Sequence, residues 1–222
     1  MQRDRKRGAI ITDSIIKFSF VALCFIIALG SNRICYSKKD WGYLVSAMGF
    51  TLVSDFFLVL VHNYRAGVFT FCFVHIIYIF RVSDNKVKSV FKIFTTIFSG
   101  ILVFVFFNLF PFLPQLDILV IFAMVYAYLF VQNLATHIRY YRRDDANALP
   151  LINRRLMLIG LILFALCDVH VLLFNLPQHI PYFPQALADW GLTWIWVFYA
   201  PSQLLLSISA VKFHSPNFLK KV

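Results

Sequence analysis

Three ionisable residues sit in the middle of apolar stretches, where chemistry rather than solubility must justify them. Asp55 lies in GFTLVSDFFLVLVHN (residues 49–63), His75 in GVFTFCFVHIIY (67–78) and Asp168 in IGLILFALCDVHVLLFN (159–175). A carboxylate in such a setting is expensive and marks a pathway or a site by default. Two carboxylates, one protonated and one ionised, form the pairing in which a general acid stands beside a base. The other acids have structural explanations. All ten are Asp. Asp13, Asp117 and Asp189 each open an apolar run, where a carboxylate can cap free amides, and Asp4, Asp40, Asp84, Asp144 and Asp145 fall in polar connections.

The elements that position these groups are read from composition. The chain has 222 residues, 60% hydrophobic and only 14% charged, in continuous apolar runs. This predicts an all-α polytopic membrane helix bundle, residues 1–222 forming one transmembrane domain, because a lipid-buried backbone must satisfy its own polar groups. Seven spans are expected, at about 13–30, 41–61, 67–80, 90–110, 117–137, 151–175 and 186–211. A retained first helix fits better than a signal peptide, since Lys17 interrupts the apolar region. Span four, rich in Phe, suits lipid contact and packing. Pro111 and Pro114 bracket a tight turn, and the polar connections are 81–92 and 139–150.

The net charge of +11 does not indicate nucleic acid, because the cations lie between the apolar runs, where they set topology and meet anionic headgroups. The loops after spans one, three and five and the C-terminal tail hold fifteen Lys and Arg, against five on the opposite face. The C-terminus is therefore expected in the cytoplasm and the N-terminus outside. Cys24, Cys72 and Cys167 lie within spans and Cys35 alone in a loop, so no disulfide framework is implied. No phosphate-binding glycine loop, nucleophile elbow or metal-spaced histidine pair occurs, and no cofactor or metal is expected.

Counting about 1.5 Å per residue places Asp55, His75 and Asp168 each roughly 10–12 Å from the same face, with Tyr199 roughly 16 Å down. Tyr78 shares a face with His75, and Tyr199, Gln203 and Ser207 form a ladder at spacing four that contains Pro201. These are candidates to hold water or substrate oxygens. His62, seven residues after Asp55, falls on its face at the pocket mouth. His170 points off the face of Asp168.

At these residues the sequence resembles the YhhN family of membrane proteins, whose characterised members are lysoplasmalogenases. That family's glycine-led helix ending in Gly-Asp, its Gly-x-x-x-Phe-x-x-x-His-x-x-Tyr, its Ser-Asp and its Tyr-x-x-x-Gln are similar, in order, to Gly49 to Asp55, Gly67-Phe71-His75-Tyr78, Gly160 to Asp168, and Tyr199 to Gln203. Ser54 stands in place of the glycine before the first Asp, Cys167 in place of the serine before the second, and Lys17 precedes Phe18 rather than proline. The family usually has eight spans, so its first helix is expected to be missing here, which agrees with an outside N-terminus.

The resemblance implies hydrolysis of the vinyl ether bond of a lysophospholipid substrate, a lysoplasmalogen, to a fatty aldehyde and a glycerophospho-headgroup. Asp55 and Asp168 would be acid and base, His75 would orient one of them, and Tyr78, Tyr199 and Gln203 would bind substrate. The residues alone also fit a non-enzymatic lipid or ion carrier or a receptor-like binder, in which the Asp pair relays protons or binds a cation. Hydrolysis of an ester or amide lipid is a further enzymatic alternative.

Overall fold

The computed structural model describes residues 2–110, 116–144, 148–178 and 182–213, with side chains from Thr12 onward except that of Gln178. Pro111, Pro114, Asp145, part of the proline-rich connection after the sixth span, the basic N-terminal side chains and the tail lysines Lys220 and Lys221 lie outside the described residues. Seven helices follow one another: α1 (Gln2–Gly30), α2 (Lys38–Asp55), α3 (Tyr64–Val82), α4 (Lys86–Leu109), α5 (Ile118–Tyr141), α6 (Leu151–Asn175) and α7 (Gln185–Ser207). The first six contain segments long and apolar enough to cross a membrane. In α7, three Trp together with Pro201, Ser202, Gln203 and Ser207 dilute the apolar character, and Ser202, Gln203 and Ser207 are all buried.

Short polar caps start several helices. Side chains of Ser37, Asn63, Asn85 and Asp117 accept hydrogen bonds from first-turn amides of α2, α3, α4 and α5, satisfying donors that would otherwise be stranded. Of the three acids expected at helix starts, only Asp117 caps. Asp13 lies inside α1 and pairs with Lys17 at 2.5 Å, and Asp189 lies inside α7 and accepts from Gln185 at 3.0 Å. The helices begin earlier than the apolar runs do, because polar residues continue a helix into the headgroup zone.

α3 packs against α2, α4 and α5, and α6 against α5 and α7. α7 in turn reaches α1 and α2. Six helices thus close a ring while α4 lies outside it, burying only Ile93, Thr96 and Gly100, as expected of a lipid-facing span. Glycines set the close approaches. A Cβ at Gly160 would stand 2.9 Å from Leu206 Cγ, and one at Gly191 would stand 3.0 Å from the His170 carbonyl oxygen. Small residues that let backbones meet are the usual means of holding helices together in lipid.

The polar connection expected over 81–92 is in fact short. Arg81 lies in the last turn of α3, which ends at Val82, Lys86 begins α4, and only Ser83, Asp84 and Asn85 separate the helices. Arg81 and Asp40 are both buried. The guanidinium donates from Nε and Nη2 to the two Asp40 oxygens at 2.7 and 2.8 Å and from Nη1 to Ser209 Oγ at 2.9 Å. Asn153 on α6 holds the carbonyls of Ser209 and Val211, each at 2.8 Å. Ile34 and Tyr36 pair with Lys212 and Ala210 through their backbones. These contacts seal one end of the ring.

Candidate active site

α2 delivers Asp55 at its last α-helical residue. The chain then widens into a π turn over Phe56–Val61 and ends on His62 in the left-handed conformation (φ 57°). π turns inside α-helices recur at functional sites. Gly67 makes room for this one, since a Cβ there would clash with the Leu58 side chain. Because an i→i+5 turn holds more residues than an α turn, seven residues no longer return to the face of Asp55. His62 is accordingly exposed at the helix end rather than at a pocket mouth beside Asp55.

Asp55 is buried, and its Oδ2 accepts from the Tyr199 hydroxyl at 2.5 Å. Equal counting had put Tyr199 deeper than Asp55. Helical side chains lean toward the N-terminus of their own helix, which brings the phenol back toward the carboxylate. Asp168 on α6 is half-buried and accepts from the Tyr126 hydroxyl of α5 at 2.7 Å. Among the described residues, no cation pairs with either carboxylate. Neither acid turns to lipid alone.

His75 lies between the two pairs, fully buried. Its ring meets Tyr126 and Phe130 at 4.8 Å each and Phe164 at 5.8 Å, and Phe164 in turn meets Tyr199 at 5.6 Å. An aromatic chain Tyr199–Phe164–His75–Tyr126 therefore spans from one acid's partner to the other's. His75 Nδ1 is 3.2 Å from Asn133 Nδ2, and its Nε2 has no partner among the described residues. His75 thus reaches Asp168 through Tyr126.

The remaining candidates divide. Gln203, one turn after Tyr199, is buried, and both its amide atoms lack partners among the described residues, as does Ser202 Oγ. A buried polar group left unmade costs about 1–3 kcal/mol, and natural proteins keep few. Such groups suit a polar ligand. Tyr78 turns the other way, its hydroxyl 3.7 Å from Met48 Sδ and its ring 6.3 Å from that of His137. This is the direction of the Arg81 end. His170 stacks between Trp190 (4.9 Å) and Phe198 (5.0 Å), off the face of Asp168 as expected.

Tyr126 and Asn133, which touch Asp168 and His75, are candidate site residues not singled out from the sequence. Their signal was present: Tyr126, Phe130, Asn133 and His137 recur at spacings of four, three and four along α5, a single helix face. No cluster of three or more His, Cys, Asp or Glu suited to a metal occurs among the described residues.

The model of the YhhN family matches residues 12–210, spanning all four motifs and both tyrosine–carboxylate pairs. The chain belongs to the YhhN family. No curated protein and no solved structure matches it. As a YhhN protein it carries a lysoplasmalogenase-like role at the level of the family, and several long apolar helices make it a multi-pass membrane protein. The hydroxyl of Ser54, where the family has glycine, lies 2.8 Å from both the Phe50 carbonyl oxygen and Thr70 Oγ1. It joins α2 to α3 one residue before the carboxylate.

Proposed function

We propose that this YhhN protein hydrolyses the vinyl ether bond of a lysoplasmalogen, with Asp55 and Asp168 as acid and base. The observation that carries this reading is the pairing of each intramembrane carboxylate with a tyrosine hydroxyl and with no cation among the described residues. A carboxyl group so placed remains available to exchange a proton, whereas one clamped by arginine does not. One Asp, as the acid, delivers its proton to the alkene carbon remote from oxygen. The other, ionised, faces the oxocarbenium charge that develops on the neighbouring carbon. Water adds there and gives up a proton to that carboxylate. The hemiacetal then collapses to a fatty aldehyde and the glycerol hydroxyl, so one water is consumed per bond broken.

Tyr199 and Tyr126 hold the two carboxylates in place. His75 fixes Tyr126 from the side, and Gln203 and Ser202 offer unpartnered atoms to water or to glycerol oxygens. Tyr78, directed toward Met48 and the Arg81 end, has no part in this scheme. The ends of the helices rich in Lys and Arg, including the Arg81 end, face the cytoplasm.

Purified protein in detergent, given a lysoplasmalogen, should release aldehyde, and Asp55→Asn and Asp168→Asn should each abolish release with folded yield unchanged. Full activity in either variant removes that residue from the mechanism. Free fatty acid in place of aldehyde from an acyl lysolipid would identify an ester or amide hydrolase instead.

A further inference from the structure

Two cavities open on the side of the bundle away from the carboxylates, where α4 lies outside the ring. One of about 460 Å³ runs between residues 95–103 of α4 and 124–128 of α5. The other, of about 640 Å³, lies where the end of α3, the start of α4 and the end of α5 meet. Tyr128 lines both, so the two adjoin along α4. The two parts differ in character. The first is mostly apolar, with Val103, Met124 and Val125 beside the hydroxyls of Thr95, Thr96 and Ser99 and with Gly100 at its floor, where the approach of Val125 leaves no room for a Cβ. The second carries Lys88, Lys92, Arg139 and Arg143 against one acid, Asp84, which pairs with Arg143.

Lys88 and Lys92 are one helical turn apart and exposed. Like charges at that spacing repel. Among the described residues no acid pairs with Lys88, Lys92 or Arg139, whose Nη2 donates only to Thr136 Oγ1 at 3.1 Å. The floor is polar and internally bonded, with Gln132 Nε2 donating to Thr96 Oγ1 at 2.8 Å and Ser89 Oγ to Ser83 Oγ at 2.9 Å. A surplus of positive charge at the membrane boundary, continuous with an apolar trough at membrane depth, has the shape and charge of one molecule type. We infer that this groove binds an anionic glycerophospholipid, its phosphate held by Lys88, Lys92 and Arg139 and an acyl chain laid past Tyr128 between α4 and α5. The site is separate from the carboxylates and independent of the reaction proposed for them.

The test uses the full-length protein in detergent and native mass spectrometry. Dioctanoyl phosphatidylglycerol, dioctanoyl phosphatidylcholine and inorganic phosphate serve as probes. A cation near a membrane surface contributes about fivefold in affinity for an anionic lipid. The phosphatidylglycerol should therefore be retained at least roughly fivefold better than the phosphatidylcholine, and the Lys88→Gln/Lys92→Gln/Arg139→Gln variant should lose that preference. Ser99→Trp fills the apolar part without changing any charge, and because Ser99 is exposed the fold tolerates it. It should lower retention of phosphatidylglycerol by roughly tenfold, as expected when a few methylenes lose their seat. Equal retention of the two lipids, displacement by an equal concentration of inorganic phosphate, or unaltered binding in either variant would overturn the assignment. The last of these outcomes for Ser99→Trp would mean surface adsorption to cations rather than a seated lipid.

Discussion

Two buried carboxyl groups at opposite ends of α2 have opposite surroundings. Asp40, in the first turn, is clamped by both arms of the Arg81 guanidinium, which also holds Ser209 beyond α7. Asp55, in the last turn, has only a phenol, and Asp168 across the ring has the same kind of partner. At the Arg81 end the guanidinium finds acceptors on both Asp40 oxygens and on Ser209, and the result is a fixed seal. The Asp55 region leaves His75, Ser202 and Gln203 with unused polar atoms. The difference separates a carboxylate fixed by an ion pair from the two carboxylates to which the proposed reaction is assigned.

Substitution at the two ends is the sharpest test of that contrast. Asp55→Asn should lower aldehyde release by roughly 10²–10⁴-fold, the range of general acid–base contributions, with an unchanged melting midpoint in detergent. Arg81→Met, in contrast, should leave Asp40 buried and uncompensated and destabilise the protein by about 3–5 kcal/mol, seen as lost folded yield. The double variant Arg81→Met/Asp40→Leu should recover most of that loss, since an apolar pair removes the stranded charge. If Arg81→Met melts like wild type, the seal contributes nothing to stability.

Smaller effects refine the picture. Tyr126→Phe removes the one hydroxyl donated to Asp168 and should cut kcat by about tenfold or more while the ring keeps its packing on His75. An equal loss from Tyr199→Phe would show that the two acids are held to similar degrees. The smallest effect is expected at Gln203→Leu. Replacing an unsatisfied buried amide with an apolar side chain should raise the melting midpoint by a few degrees, equivalent to about 1 kcal/mol, and raise KM. A lower midpoint would mean that Gln203 already has a partner in the folded protein.

Much of this architecture was legible before any coordinates. The sixth span, read as 151–175, coincides with α6, because Pro150 cannot continue a helix backward and Asn175-Leu176-Pro177 ends it. Asp55, His75 and Asp168 stood out because apolar neighbours make a charge conspicuous. Asp40 and Arg81 did not stand out, since polar residues surround them in sequence and their burial follows from tertiary packing alone. Yet Arg81 continues the three-residue spacing from His75 through Tyr78, which puts it on the inward face of α3. Tyr126 was missed for a related reason. A tyrosine among apolar residues reads as packing until its hydroxyl is seen to meet Asp168. The lean of helical side chains and the π turn after Asp55 shift Tyr199 and His62 away from where uniform spacing would put them.

The π turn over Phe56–Val61 has a consequence for how this helix tolerates changes of length. Deleting one residue upstream of Asp55 would rotate its carboxylate by about 100° around the axis of α2 and part it from Tyr199. A deletion within residues 59–61 lies on the far side of the acid, where the wide turn already carries a surplus residue that an ordinary α turn would not hold. That stretch is slack wound into the helix. It lets the chain be shortened beside a reactive group without turning that group away.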